Sequence, residues 1–317
     1  MLYSPKPMHI PDGFLSIIIS VICWAITVSI LAIAISKTNK SLGEKQVPLM
    51  GVMAAFIFAA QMLNFPIAGG TSGHLLGGAL AAITLGPWAG MLVMTAVIAT
   101  QALLFQDGGL LVMGANILNM GLLTAAVGYG LYRSVSAKSD GTRLAVAGVA
   151  AWLSVMTGAL FTSLQLWLSG TARLDLVVPA MLWVHALIGL GEAVITVAAL
   201  GFILRTRPDL LGEQSVSAQG SRGWVIAGVV IALLVTVLSP LASADPDGLN
   251  RVAADLGFIN TAHSGSGPLA GYLVPFLANA SASKILAGMI GAMIVLAIAF
   301  LAGHTLQKKT QTASNNK

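Results

Sequence analysis

The stretch that decides the fold is residues 14–36, FLSIIISVICWAITVSILAIAIS, which are 23 residues without a charged side chain. Wound as a helix, this run is long enough to cross a hydrocarbon core of about 30 Å. Eight more apolar runs follow, at approximately 47–63, 74–86, 88–105, 110–132, 144–168, 177–204, 223–243 and 283–306. Because a helix satisfies its own backbone hydrogen bonds in lipid, the pattern predicts an all-α, polytopic transmembrane helical bundle of about nine spans.

The composition agrees with this class. Of the 317 residues, 56% are hydrophobic and only 9% are charged, whereas soluble domains carry about 25% charged residues. The net charge of +5 does not indicate nucleic-acid binding, because the basic residues are spread over short loops and form no single patch. The lone cysteine, Cys23, excludes an intrachain disulfide and a cysteine metal cluster.

The loop charges predict the orientation. Loops on the cytoplasmic side of a membrane are enriched in Lys and Arg. With the N-terminus outside and the C-terminus inside, the inside loops hold 12 of the 16 basic residues, and the outside segments hold Lys6, Arg173, Arg251 and Lys284. The sequence therefore predicts an N-out, C-in protein of the cytoplasmic (inner) membrane.

The chain divides at a polar stretch, residues 205–222, RTRPDLLGEQSVSAQGSR, which has the composition of a cytoplasmic linker. Before it, residues 8–204 form a seven-span unit. After it, residues 223–306 form a two-span unit with an outside segment of about 40 residues. In that segment, Asp247 is expected to cap a short helix that buries Leu249, Val252, Ala253 and Leu256 and ends at Gly257. The segment is too small to fold alone, so we expect it to pack on the membrane unit.

Residues 8–13, Met-His-Ile-Pro-Asp-Gly, contain a candidate metal chelate. If Met8 were the N-terminal residue, its α-amine, the main-chain nitrogen of His9 and the His9 imidazole could bind one ion in two fused rings. A main-chain nitrogen binds only after it loses its proton, which favours a strongly polarising ion that accepts planar geometry, such as nickel(II) or copper(II). In the 317-residue chain the Met8 nitrogen belongs to the peptide bond with Pro7 and is a poor ligand. We therefore expect the working protein to begin at Met8, where this nitrogen is a free α-amine.

His74 is the candidate for the fourth ligand. It follows a Gly-rich stretch, residues 64–73, that has no obvious regular structure, and we expect it to begin a helix on the outside face. Irregular backbone at membrane depth is tolerated where it lines a cavity. Taken singly, His9 is as consistent with an interfacial residue and His74 with a helix-end residue; the metal interpretation depends on the two together.

Other polar residues have less defined roles. His185 and Glu192 lie seven apart on one face of the seventh run, where a buried ionisable group is a functional candidate by default. A structural hydrogen bond to Asn116 or Asn119 is an equally good interpretation of this pair. Asp12, Asn64, Thr71 and Ser72 are candidates for orienting the two imidazoles. His263 and His304 are expected at solvated or interfacial surfaces.

Three motifs carry a family resemblance: MHIPDGFL at 8–15, NFPIAGGTSGHLLGG at 64–78 and HALIGLGEAVIT at 185–196. They resemble the substrate-capture subunit (CbiM/NikM) of energy-coupling-factor nickel/cobalt transporters. PDGL at 246–249 and VAADLGF at 252–258 resemble the small two-span partner subunit (NikN/CbiN), here fused as in NikMN and CbiMN chains. The resemblance implies Met8, His9 and His74 as metal ligands, nickel or cobalt as the transported substrate, and ATP hydrolysis by partners. Those partners would be a transmembrane coupling subunit (CbiQ/NikQ-like) and ATPase subunits (CbiO/NikO-like). One feature departs from the family: its motif begins the protein, whereas seven residues precede it here.

Competing classes fit less well. The sequence has no H-E-x-x-H or G-x-S-x-G motif, and no Gly-Lys dipeptide from which a phosphate-binding loop could be built. We therefore expect a transporter component, and neither an enzyme nor an ATPase. A proton-coupled secondary transporter that uses His185 and Glu192 as a relay is an alternative, weakened by the lack of an obvious inverted repeat. The sequence does not decide between nickel and cobalt, although a planar four-nitrogen site favours nickel.

The orientation can be tested by thiol labelling. After Cys23→Ser removes the native thiol, a cysteine at Ser139 or Ser217 should resist an impermeant reagent in intact cells, because both lie in loops rich in Lys and Arg. A cysteine at Ser266 should react. Labelling of position 217 from outside would overturn the orientation.

Overall fold

Helices make up most of the structure, a computed structural model that describes residues 8–43, 45–211, 223–263 and 265–315. We number them α1 to α11 along the chain. Their bounds are α1 Ile17–Ser41, α2 Gln46–Gln61, α3 Gly78–Leu85, α4 Pro87–Thr100, α5 Met113–Asn116, α6 Thr124–Tyr132, α7 Asp140–Leu168, α8 Leu174–Thr206, α9 Gly223–Val237, α10 Gly248–Asp255 and α11 Ala280–Asn315. The predicted helical membrane fold is confirmed at this level.

Six helices in the described residues are long and apolar enough to cross a membrane: 17–40, 87–105, 140–168, 174–206, 223–241 and 280–307. They correspond to six of the nine apolar runs. A seventh run forms α2, which is apolar but has only 16 residues. The fifth run, 110–132, is divided between α5, a π-helical segment at Ile117–Leu123 and α6.

The expectation for the third run is wrong. No helix begins at His74; instead Phe65–Ile67 (β1) and Thr71–Gly73 (β2) form an antiparallel hairpin, which an all-α prediction omits. His74 follows β2 in non-helical chain, and α3 begins only at Gly78, after Gly77 adopts φ +84°. A left-handed glycine at this point stops the backbone from continuing as a regular helix toward His74. Gly86, with φ +81°, and Pro87 then separate α3 from α4.

The C-terminal unit, residues 223–306, packs directly on residues 8–204. Helices α9 and α11 lie against α2, which is buried along nearly its whole length. Between them, the outer segment (residues 242–279) lies on the first unit: Ser243 N donates to Asn64 O at 2.8 Å, and Leu269 N donates to Leu104 O at 2.9 Å. The predicted packing of the segment is confirmed. The predicted linker 205–222 lies outside the described residues from position 212 onward.

The short helix of the outer segment is α10, and its predicted cap is confirmed. Asp247 accepts a hydrogen bond from Asn250 N at 2.7 Å. Leu249, Val252 and Ala253 are buried, and the chain leaves the helix at Gly257 with φ +83°. The cap fixes α10 against α8 and β2, next to the candidate site.

Candidate metal centre

Side-chain hydrogen bonds fix segment 8–13 inside the helical bundle. Asn116 accepts from Ile10 N and donates to Ile10 O, both at 3.0 Å, as a neighbouring strand would. Asp12 accepts from the main-chain N–H groups of Leu110, Leu111 and Val112 at 3.0–3.2 Å. These bonds allow a non-helical backbone to lie buried among helices.

The two predicted imidazoles meet inside the protein. The ring centroids of His9 and His74 lie 5.6 Å apart, and both side chains are buried. His9 Nδ1 donates to Asp107 O at 3.0 Å and His74 Nδ1 to Leu75 O at 2.9 Å, because a carbonyl oxygen can only accept. In that tautomer Nε2 carries the ring's lone pair, and the buried Nε2 of His9 has no hydrogen-bond partner among the described residues.

The three nitrogens of the predicted chelate converge on one atom, Asp107 Oδ1. It lies 2.6 Å from Met8 N, 3.3 Å from His9 N and 3.9 Å from His9 Nδ1. Oδ1 accepts from the main-chain N–H groups of Met8 and His9, whereas the Nδ1–H of His9 donates to the carbonyl oxygen of Asp107. An ion bound by all three nitrogens would therefore replace their contacts with Asp107.

Asp107 is itself held by the outer segment. Tyr272 Oη donates to Asp107 Oδ2 at 2.6 Å. Burial, and then the charge of Asp107, raise the pKa of Tyr272 well above its usual value, so the phenol keeps the proton that it donates. Within the described residues, the two non-glycine residues with left-handed backbone are Gln106, which precedes Asp107, and Tyr272, which donates to it. Such backbone costs energy and persists where surrounding contacts enforce it.

His74 is positioned through Glu192. The Glu192 carboxylate, fully buried on α8, accepts from Leu76 N at 2.6 Å and from Gly77 N at 2.8 Å. These bonds replace helical ones in the chain that leads from His74 to α3. His74 lies outside the six long helices, and burial, followed by the nearby His9, lowers the pKa of its imidazole. A neutral imidazole is the form that binds a metal.

A cavity of about 60 Å³ adjoins both imidazoles. Its lining includes Met8, His9, His74, Asn119 and His185. Within residues 8–43, 45–211, 223–263 and 265–315, no three side chains of His, Cys, Asp or Glu are grouped so that they could hold a metal.

His185 and Glu192 do not form the pair that their shared helix face suggested. His185 Nδ1 bonds the carbonyl of Met181 at 2.8 Å, within its own helix. The predicted asparagine partners are also engaged elsewhere, since Asn116 holds Ile10 and Asn119 bonds Gln165 and Thr162. Glu192 is thus a structural acceptor for main-chain amides, whereas His185 lines the cavity.

Of the four residues expected to orient the imidazoles, Asp12, Asn64 and Ser72 form hydrogen bonds with other groups. Asp12 holds residues 110–112, as described above. Ser72 donates to Asp245 O at 2.8 Å and accepts from Asn64 Nδ2 at 3.4 Å, while Thr71 is buried in β2. Short side chains at the ends of strands bond local main chain before they can reach an imidazole. Of the two remaining histidines, His263 is exposed, as predicted, and His304 is half-buried.

Sequence reasoning missed two residues of the site, Asp107 and Tyr272, and it did not identify the role of Asn116. The signal for the first is Asp107-Gly108-Gly109, a lone acid followed by two glycines between apolar runs. The glycines are required, because a Cβ on Gly109 would lie 2.1 Å from Asp12 Oδ1 and one on Gly108 would lie 3.0 Å from His9 Cβ. Tyr272 carried no signal, since only the folded outer segment brings it to Asp107.

Comparison with known proteins assigns the family. The family model described as "Cobalt uptake substrate-specific transmembrane region" (CbiM) matches residues 9–210, and the "PDGLE domain" model matches residues 222–308. The chain belongs to the CbiM family. It carries the PDGLE domain as a fused second unit, as the NikMN-type resemblance predicted. It is a multi-pass membrane protein of transition-metal transport.

Relatives extend over both units. The chain is 36% identical to the putative fused nickel transport protein NikMN of Archaeoglobus fulgidus, over 92% of this chain and 97% of that protein. It is 30% identical to the fused nickel transport protein NikMN of Rhodobacter capsulatus, over 93% and 97%. The cobalt transport protein CbiM of Geobacter sulfurreducens is 30% identical, over 75% of this chain and 72% of that protein. A crystal structure of a truncated transition metal transporter matches with a TM-score of 0.56 and 37% identity, over 62% of this chain and 99% of that one.

Glu192 gives a test of how His74 is positioned. Glu192→Ala leaves two buried N–H groups without an acceptor, at a cost of about 1–3 kcal/mol each, and frees the chain next to His74. We expect nickel affinity, measured by calorimetry on the purified protein, to fall by about 10-fold or more. Glu192→Gln keeps one carbonyl acceptor and should lose less. Wild-type affinity in the alanine variant would show that Glu192 does not position His74.

Proposed function

We propose that the chain is the substrate-binding subunit of an ATP-driven nickel uptake transporter. It captures the ion on the outside face through the Met8 amine, the main-chain nitrogen and imidazole of His9, and the imidazole of His74. The observation that carries the proposal is the convergence of Met8 N, His9 N and His9 Nδ1 on one atom, with the His74 ring beside them. Four nitrogens around one point favour a planar ion.

Loading requires an exchange at Asp107. The incoming ion displaces Asp107 from these nitrogens, the His9 amide loses its proton, and the His9 ring shifts its one proton from Nδ1 to Nε2, so that Nδ1 can bind while the ring stays neutral. Binding therefore releases a proton. Tyr272 keeps its hydrogen bond to Oδ2, so the carboxylate stays beside the ion and balances its charge. Cobalt as the natural substrate is the second candidate for the same site.

His74 is the ligand whose loss tests the site. His74→Ala removes the fourth nitrogen, and nickel affinity should fall by about 100-fold or more, beyond the 10–100-fold typical of supporting groups. Affinity of the wild type should also weaken steeply in acid, because the ligand nitrogens must be deprotonated. His263→Ala, which changes an exposed histidine, is the matched control and should bind normally. Equal affinity in the two variants would remove His74 from the site.

The free amine of Met8 is the second test. Residues 1–7 lie outside the described residues, but an amide at Met8 has no basic lone pair, whereas an α-amine with a pKa near 7.7–8.0 does. We expect intact mass measurement of natively expressed protein to show a chain that begins at Met8. A recombinant chain begun at Met8 should bind nickel at least about 10-fold more tightly than the 317-residue chain. Undiminished affinity in the longer chain would exclude the amine as a ligand.

The energy source separates ATP-driven uptake from the proton-coupled alternative. The proposed complex has nine chain passes, N-out and C-in, in the cytoplasmic membrane, with a coupling subunit (CbiQ/NikQ-like) and ATPase subunits (CbiO/NikO-like). In liposomes, this chain alone should accumulate no nickel under a proton gradient, and addition of the partners and ATP should restore uptake. Gradient-driven accumulation by the chain alone would instead support a relay through His185 and Glu192. Glu192 already accepts two main-chain bonds, which argues against its cycling as a proton carrier.

A further inference from the structure

A groove lies at the seam between the two fused units, and no histidine is in its lining. It encloses about 560 Å³ and is formed by α2, α8 and α9. Its lining is almost wholly apolar: Leu49, Val52, Met53, Phe56, Leu80, Ala199, Phe202, Ile203, Thr206, Arg207, Leu210, Trp224, Ala227, Gly228 and Ile231. Phe202 and Ile231 remain 55% and 37% exposed, so the groove opens toward the bilayer between α8 and α9.

The shape of the groove selects a thin, elongated occupant. Its walls run from Ala199 to Thr206 and from Trp224 to Ile231, each about two helical turns or ~10 Å long. The groove is therefore much shorter than a spanning helix of a partner subunit, which is about 30 Å long. A single hydrocarbon chain fits its form and its apolar lining.

One end of the groove is basic. Arg207 forms two 2.8 Å bonds with Asp209 and lies 5.1 Å above the Trp224 ring, and Lys45 Nζ approaches the same carboxylate at 3.3 Å. Arg207 first, with Lys45 adding to it, lowers the pKa of Asp209 to about 2, so this acid is ionised at neutral pH. Arg205, in the last turn of α8, is exposed at the same end. Among the described residues, Lys45 and Arg207 thus carry one positive charge more than Asp209 balances.

We propose that the groove binds one acyl chain of an anionic glycerophospholipid, whose phosphate is held by the Lys45–Arg207 cluster. The apolar wall buries the chain, and the excess positive charge selects the headgroup, as basic clusters at a membrane surface do. The bound lipid fills the seam between α8 and α9, and so joins the seven-span unit to the two-span unit. This site is independent of the metal centre.

The fluorescence of Trp224 reports which lipid occupies the groove. The full-length protein is placed in nanodiscs that contain phosphatidylglycerol or phosphatidylcholine brominated near the glycerol end of the acyl chain. Subtracting the quenching of Trp224→Phe from that of the wild type isolates Trp224 from the other five tryptophans. We expect phosphatidylglycerol to quench Trp224 at about a fivefold lower mole fraction than phosphatidylcholine, the preference that about one surplus basic residue provides. Native mass spectra should retain about one phosphatidylglycerol.

Variants separate this site from ordinary lipid contact. Ala227→Phe fills the groove and should abolish the retained lipid and the preference, whereas Ala198→Phe, on the exposed part of α8 and not in the lining, should change neither. Lys45→Gln with Arg207→Gln should equalise the two lipids, whereas Arg133→Gln with Lys138→Gln, at exposed positions elsewhere, should not. Equal quenching by both lipids in the wild type would overturn the proposal. So would crosslinking of Ala227→Cys to a partner subunit in the assembled transporter.

Discussion

The structure depends on one constraint: buried main chain that is not helical must still find hydrogen-bond partners. In a helical membrane protein every buried N–H and C=O must find a partner inside the protein. Two segments here, 8–13 and 62–77, enter the bundle without being helices, and their amides are satisfied by Asn116, Asp107, Glu192 and the strand pairing of β1 with β2. The polar residues of the interior are therefore mainly scaffolding for backbone. The two histidines are placed as a consequence of that scaffold.

The same constraint explains why the second unit belongs to the site. The outer segment pairs with both irregular segments: Ser72 N donates to Pro246 O at 2.9 Å, and His263 N donates to Asp12 O at 2.8 Å. It also provides Tyr272 to Asp107, and Asp247 lines a small cavity of about 30 Å³ beside His74 and His185. Burial raises the pKa of Asp247 to about 7, so this carboxyl exchanges its proton near neutral pH. Residues 242–279 thus cover the site.

Sequence reasoning found the features that follow from local patterns. Apolar runs located the long helices, Asp247 and Gly257 marked the ends of α10, and the spacing of Met8, His9 and His74 suggested one site. It failed where a tertiary contact overrides the local pattern. The apolar residues 74–86 look like one helix, but two amides bonded to Glu192 hold the first part extended. Asp107 and Tyr272 are 165 residues apart, and no periodicity relates them.

Charge balance in the proposed metal complex favours a divalent ion. A buried cation is costly unless opposite charge lies close to it. In the proposed complex, a divalent ion meets one negative charge on the deprotonated His9 nitrogen and a second on Asp107, while Met8 and His74 contribute neutral donors. The buried assembly is then neutral, whereas a monovalent ion would leave it negative and a trivalent ion positive. Tyr272, by holding Asp107 Oδ2, keeps that second charge in place when Oδ1 yields its position to the ion. Selection by charge therefore depends on the outer segment as much as on the histidines.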